Sequence, residues 1–295
     1  MVCYVLNSSI TKKNIFEVYL WNPSTRSYRN VSTSRPRTAS KTYFSLGFGY
    51  DYSTDDCKIL RPYTFCLRWS DFNSTTDLIE MFSLKTFTWR TIQDKNNICT
   101  YKFRLNPYNN TYLNGGIYWT VKSHKPWTVE SNNKPSIIYF DLAEEIFHEL
   151  QWPEAAAERT AAYHLSDHLS ELGIFGEHLC LSLPNHSNLC VELWVMKESC
   201  WTISLTISYF KNIFRPRPIL LSNRNNIDEL LILTGLGDYG DCGGMHLIMY
   251  NLKEKTHRTI FKPRQPKKDQ YQPLPVIVVA TCVESLCSLL PDVEV

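Results

Sequence analysis

Apolar and polar residues alternate over short runs, and one such run recurs five times along the chain. Its centre is a large apolar ring: Trp21, Phe82, Phe140, Trp194 and Tyr250, at spacings of 61, 58, 54 and 56 residues. One and three residues before each centre stand Leu20 and Val18, Met81 and Ile79, Tyr139 and Ile137, Leu193 and Val191, Met249 and Leu247. Seven residues after each comes a second ring, Tyr28, Trp89, Phe147, Trp201 and then His257. Period-two alternation rich in aromatic and β-branched residues predicts strands rather than helices. Large residues on both parities mean that both faces of each strand are covered, as in stacked sheets. The intervening "PSTRS", "LKTF" and "LKEKT" are short and polar, so each run reads as a tight hairpin. The second rings are expected to be core residues wedged between sheets.

Further strands precede these hairpins. "FSLGFGYDYSTDDCKILRPYTF" reads as two strands joined by an acidic turn, and "LGIFGEHLCLSL" turns at Gly176. "YLNGGIYWTV" carries Asn114-Gly115, the pair best suited to a turn with two positive φ angles. Four strands per repeat of about 50 residues is the pattern of an all-β β-propeller. Five outer hairpins give about five four-stranded blades, or six if one has degenerated. Residues 153–172 have helical composition and are placed in a connection between blades. The apolar run 274–286 reads as a last strand that completes the first blade and closes the ring.

The 295 residues carry a net charge of +2, with 43% hydrophobic, 20% charged and 13% aromatic residues. That is ordinary globular composition, and it gives no general attraction to nucleic acid or membrane. The first fourteen residues do not read as a signal peptide, and no run approaches the ~18 apolar residues of a membrane span. Ten cysteines occur singly without a CxxC pair, so reduced, buried thiols are expected rather than zinc ligands. Sequons at Asn7, Asn30, Asn73, Asn109 and Asn185 are no more than weak support for secretion in a chain this rich in Asn, Ser and Thr. Cytoplasm or nucleus is the expected location.

Catalytic and cofactor motifs fare poorly. Gly235, Gly237 and Gly240 spell GxGxxG, but a dinucleotide site needs a helix next, and "MHLIMYNL" reads as a strand. His164 and His168 could share a helical face, yet no HExxH glutamate or third ligand accompanies them. No nucleophile elbow or acid–histidine–serine grouping stands out. No metal, cofactor or catalytic residue is therefore assigned, and a propeller enzyme is the least favoured reading. The basic segment 26–41, with Arg35, Arg37 and Lys41, reads as a solvated loop in preference to a contact for an acidic partner. Two loops, 66–75 and 122–135, show aromatic residues among polar ones. These either fold back on their own blade or form binding anchors.

Taken together, the motifs resemble the plant F-box-associated domain, a kelch-like β-propeller. "LWNPSTRSYR", "GFGYDYSTDDCKILR", "IEMFSLKTFTWRTI", "LNGGIYWTV", "IIYFDLAEEIFHELQWP", "LGIFGEHLCLSL", "VELWVMKESCWTISLTI" and "VESLCSL" stand in that family's order. The resemblance covers residues 1–290, leaving 291–295 as a tail. It implies a substrate receptor: an F-box binds a Skp-type adaptor on a cullin ubiquitin ligase, and the propeller holds the protein to be ubiquitinated. No F-box is present in these residues, and "MVCYVL" is similar to the middle of a strand of the family. An N-terminally truncated domain, binding the adaptor only once an upstream F-box is restored, is the expectation. The alternative is a fragment that is non-functional or binds without the adaptor. The stretch after "VMKE" is shorter than usual, and a charge of +2 counts against the self-incompatibility branch, whose target is basic.

In a four-stranded blade the connections alternate between the two ends. Short turns at 51–56, 85–87, 114–116, 143–145 and 253–255 are expected at one end. Longer connections at 66–75, 122–135, 184–188 and 235–244 are expected at the other, carrying Arg68, Trp69, Trp127, His186 and Tyr239 as candidate partner-binding residues.

Overall fold

A computed structural model of the chain describes residues 2–8, 15–22, 25–31, 41–44, 46–66, 75–96, 110–122, 135–156, 170–185, 188, 190–208, 213–219, 229–236 and 245–261. They form five antiparallel sheets in chain order. The first holds β1 (Val2–Ser8), β2 (Ile15–Asn22) and β3 (Ser27–Asn30). In the second, β4 (Lys41–Phe44) and β5 (Gly47–Asp51) both pair with β6 (Asp56–Cys66), followed by β7 (Thr75–Ser83) and β8 (Thr88–Ile92). The third is β9 (Asn110–Leu113), β10 (Gly116–Lys122), β11 (Pro135–Asp141) and β12 (Ile146–Leu150). The fourth is β13 (Glu171–Phe175), β14 (His178–Asn185), β15 (Cys190–Lys197) and β16 (Cys200–Ser208). The fifth is β17 (Ile213–Ile219), β18 (Glu229–Leu236), β19 (Met245–Asn251) and β20 (Thr256–Phe261).

Four apolar layers join consecutive sheets. Val18 and Leu20 of the first meet Ile59 and Phe82 of the second. Leu60, Ile79 and Met81 of the second meet Trp119, Ile138 and Phe140 of the third. Ile137 and Trp152 of the third meet Leu181 and Trp194 of the fourth. Val191, Leu193 and Val195 of the fourth meet Leu230, Ile248 and Tyr250 of the fifth. Meander sheets stacked face to face in chain order are the blades of a β-propeller. The alternating pattern thus has a direction. In the four blades that follow another, the ring at the repeat centre faces the preceding blade. Val18 and Leu20, Ile79 and Met81, Ile137, and Val191 and Leu193, one or three positions before the centres of the first four blades, face the following one.

Turn chemistry explains the hairpins. Asp51, Asp141 and Asn251 end their strands, and each side-chain oxygen accepts a backbone N–H two residues on, at 2.8, 2.8 and 2.9 Å. Asn22 and Ser83 do the same three residues on, at 3.4 and 3.1 Å. Such side chains mimic a turn and hold the chain in it. The turns close on a residue with positive φ: Arg26 at 55°, Asp55 at 52°, Phe87 at 56°, Glu145 at 58° and Lys255 at 55°. In these blades the second ring lies directly across from the first, as in Phe82 with Trp89 and Phe140 with Phe147. The fourth blade differs. Its turn has only Glu198 and Ser199, both at positive φ. Trp201 therefore pairs with Met196, while Trp194 lies opposite Ile203, and a bulge leaves Ser204 without a partner residue on β15.

Three expectations need correction. The second rings are not uniformly core: Phe147 is buried at 2% exposure, whereas Tyr28 is 69% exposed, His257 is exposed, and Trp89 and Trp201 are half-buried. Within 153–172, residues 154–156 are helical, but Glu171 and Leu172 already belong to β13, whose partner strand claims them. Thiols are mixed, with Cys180 and Cys190 buried, Cys57 intermediate and Cys200 exposed. The expected closing strand, 274–286, lies outside the described residues.

The half-buried tryptophans act as latches. Trp89 Nε1 donates to the Val31 carbonyl at 2.6 Å, and Trp201 Nε1 donates to that of Gln151 at 2.8 Å. Each acceptor is the residue directly after the outer strand of the preceding blade. Trp89 also packs 5.3 Å from Phe82 and lies under the Arg61 guanidinium at 4.0 Å. Trp89→Ala should cost about 3 kcal/mol and Trp89→Phe about 1 kcal/mol, the latter for the lost bond alone. Tyr28→Ala should stay within about 0.5 kcal/mol of wild type in urea unfolding. Equal effects of Trp89→Ala and Tyr28→Ala would remove the latch.

Candidate functional site

The innermost strands follow one another around the structure, β5 beside β9, β9 beside β13, and β13 beside β17. Asn110 Nδ2 donates to the Leu46 carbonyl at 2.8 Å and the Tyr112 hydroxyl to that of Tyr50 at 2.8 Å, so β5 and β9 run the same way. The short turns 52–55, 84–87, 114–115 and 142–145 thus gather at one end, and connections 67–74 and 123–134 start and finish at the other. Segments 186–189 and 237–244 hold the corresponding place in the fourth and fifth blades. The long segment 220–228 breaks the expected division, because it joins β17 to β18 where a short turn stands elsewhere.

The short-turn end is knitted rather than open. Lys58 is 5% exposed, and its Nζ donates to Asp51 Oδ2 at 2.7 Å and to the Leu142 carbonyl of the next blade at 3.1 Å. Glu145 lies 3.5 Å from the same ammonium and also takes Arg90. Asp51 further accepts from Ser53 and Thr54. Burial alone would push the Asp51 carboxyl up, but the bonds from Lys58, Thr54 and Ser53 together hold it well below the usual carboxylate range. Gly49 permits this closeness: a Cβ there would stand 2.5 Å from the Tyr112 ring and 2.8 Å from Leu142.

At the opposite end, the base of one connection is visible in detail. Glu192, 6% exposed, accepts from Asn185 Nδ2 at 2.6 Å and from Trp194 Nε1 at 3.1 Å. Asn185 Oδ1 in turn accepts the Asn188 N–H at 3.1 Å. A buried carboxylate thus pins the strand ends between which His186 is carried. It also occupies Asn185, 5% exposed, which is a poor position for an attached glycan. Sequence reading missed this cluster, although a glutamate two residues before the central Trp194 was the available signal. A second glutamate at the same repeat position, Glu80, is paired with Arg61 at 2.7 Å inside the second blade.

The candidate residues Arg68, Trp69, Trp127, His186 and Tyr239 all lie outside the described residues, as do His164, His168, Arg35 and Arg37. What the described strands establish is where their segments are anchored. Of the GxGxxG glycines, Gly235 is in β18, and the next described element, β19, is a strand. The buried Cys180 thiol has its pKa pushed up to about 12 by burial, which keeps it protonated and unreactive at neutral pH.

These features define a stacked-sheet propeller with a tightly bonded end and an end of longer connections. The profile of the F-box associated beta propeller domain family matches residues 9–227, and the chain belongs to that family. The fifth blade lies largely beyond the matched stretch. "F-box protein CPR1" of Arabidopsis thaliana is 27% identical over 214 residues, 67% of this chain and 49% of that protein. An F-box/kelch-repeat protein of the same plant is 25% identical over 207 residues, 68% and 50% of the two chains. The chain thus spans about half the length of the curated relatives it matches. Among solved structures, TolB from Acinetobacter baumannii aligns with a TM-score of 0.48 at 12% identity, covering 88% of this chain and 52% of TolB.

The Asp51 cluster predicts a pH dependence. A carboxyl held below its unfolded value, about 3.9, stabilises the fold above that pH, and the contribution is lost as pH falls toward the folded value. Asp51→Asn should therefore be less stable than wild type by at least about 1 kcal/mol at pH 7. The gap should persist to pH ~5 and shrink below pH ~4 in urea titrations. A gap unchanged at pH ~3 would contradict the assignment.

Proposed function

We propose that this propeller is the substrate-recognition part of an F-box protein of a Skp–cullin–F-box ubiquitin ligase. The propeller holds a target protein, and an F-box ahead of it joins the Skp-type adaptor. The observation carrying this reading is the family match over residues 9–227. The asymmetry between the two ends supports it, because long connections on rigid strands are where recognition usually resides. On this reading the chain binds protein rather than nucleic acid or membrane, performs no catalysis, and works in the cytoplasm or nucleus. A fragment that binds its target without the adaptor is the alternative.

Binding is proposed to map to the end with the longer connections, with Arg68, Trp69, Trp127, His186 and Tyr239 as contacts. Aromatic and arginine side chains dominate interface energies. With a partner isolated by two-hybrid screening, Trp69→Ala with Trp127→Ala should weaken binding by about 2 kcal/mol, roughly 30-fold, with unfolding unchanged. Lys85→Ala and Lys253→Ala, at the opposite end, should leave it unaltered. Loss in the lysine variants with binding retained in the tryptophan variant would overturn the mapping.

The adaptor gives a separate test. The 295 residues alone should not retain a Skp-type adaptor in a pull-down, and the same chain fused behind an F-box should. Retention by the isolated chain would refute the division of labour. Failure of the fusion to bind would favour the adaptor-independent alternative.

A further inference from the structure

Asn114-Gly115 is the only Asn-Gly pair among the 295 residues. It makes the two-residue turn between β9 and β10, with φ of 47° at Asn114 and 82° at Gly115, and Asn114 is exposed. Such a pair is chemically labile as well as turn-forming. The glycine nitrogen has no side chain beside it, and it can close a five-membered ring on the asparagine Cγ. In this turn, however, Gly115 is held on both sides. Its N–H donates to the Tyr112 hydroxyl at 3.2 Å, and its carbonyl accepts the Leu142 N–H at 3.0 Å. Tyr112 gives its own proton to the Tyr50 carbonyl of the second blade at 2.8 Å, which leaves its oxygen as an acceptor for Gly115. The Tyr112 ring is seated against Gly49, where a Cβ would stand 2.5 Å from it.

We propose that Asn114 is a site of succinimide formation, and that the Tyr112 hydroxyl, braced on the neighbouring blade, governs its rate. The Gly115 nitrogen, having lost its proton to solvent base, bonds to Asn114 Cγ. The Cγ–Nδ2 bond breaks, and the departing nitrogen takes a proton from solvent and leaves as ammonia. Water then opens the imide at either carbonyl, giving aspartate or isoaspartate with no change of oxidation state. While its N–H is bonded to Tyr112, the Gly115 nitrogen is neither readily deprotonated nor free to turn toward Cγ. Reaction therefore waits on local opening of the turn. The product matters to the fold. Isoaspartate adds an atom to the main chain of a two-residue turn, and turn length fixes the Leu113–Gly116 pairing. Leu142, bonded to Gly115 through its N–H, also gives its carbonyl to Lys58 at 3.1 Å. Modification at Asn114 thus reaches the joint between the second and third blades. It lies at the short-turn end and is independent of what the propeller captures.

The test is to incubate the 295-residue chain in mildly alkaline buffer and follow the peptide carrying residue 114 by mass spectrometry, with chromatography separating aspartate from isoaspartate. Asn114 should convert slowly in the folded chain and much faster in denaturing urea. Tyr112→Phe should convert about fivefold faster than wild type when folded, because opening then breaks one hydrogen bond fewer. In urea the two should react at the same rate. Asn110→Ala removes a different bond across the same joint, from Nδ2 to the Leu46 carbonyl, and should keep the wild-type rate. Thermal unfolding checks that both variants are folded. No conversion in urea, equal rates for the wild type folded and in urea, a folded Tyr112→Phe at the wild-type rate, or Asn110→Ala matching Tyr112→Phe would each overturn the proposal. The wild-type comparison needs no variant and decides the matter even if Tyr112→Phe fails to fold.

Discussion

Burial on both faces of β7, β11 and β15, the strands that open the three middle outer hairpins, is the constraint on which the rest of this structure depends. In β7, β11, β15 and β19 one parity presses on the blade before, as Phe82, Phe140, Trp194 and Tyr250 do. In β2, β7, β11 and β15 the other parity presses on the blade after, as Leu20, Met81, Ile137 and Leu193 do. A one-residue slip would exchange the two sets and misfit both interfaces at once. Register must therefore be enforced at the strand ends, which is where the Asx-type turns act. Asp141 and Asn251 each hold two successive turn N–H groups at 2.8 to 2.9 Å.

The same constraint accounts for the glycine-rich stretch "GFGYD". Large side chains from the third blade, Ile117, Trp119 and Tyr112, approach β5 so closely that Cβ atoms at Gly47 and Gly49 would meet them at 2.5 to 2.8 Å. The second blade lends space there and the third fills it. Tyr112 then reaches across to the Tyr50 carbonyl, and Leu142 supplies a carbonyl to Lys58. A buried lysine would be expensive alone, but here it meets a carboxylate and a carbonyl from two different blades. Charge and glycine spacing are thus two parts of one inter-blade joint.

Much of this was legible in the sequence because alternation and turn chemistry are local. The five hairpins and the Asn114-Gly115 turn stand where the pattern placed them. The burial of the second rings was not legible. Alternation tells which parity a residue has, but not what the neighbouring blade sets against it: Tyr28 and His257 hold the same register position as Phe147 and remain exposed. Nor could Glu198-Ser199 be recognised as a two-residue turn, since neither residue has glycine's freedom at positive φ. The Glu192 cluster was hidden because Asn185 reaches Glu192 only through the pairing of β14 with β15. Of the candidate contacts, sequence order could place the segments at one end but not fix any side chain.

The two ends of the propeller differ in what their backbone groups can still do. Around Asp51, Asp56 and Asp141 the turn N–H groups and side chains satisfy one another, so a partner there would have to displace bonds already made. At the other end the chain leaves β6, β10 and β18 on longer excursions before returning, while the connection after β14 is as short as the turns. The strands beneath are secured by bonds of their own: Asn185 and Glu192 hold the base of one connection. A scaffold whose stability resides in its faces and at one end is free to vary at the other, which is the physical condition for one fold to serve many partners.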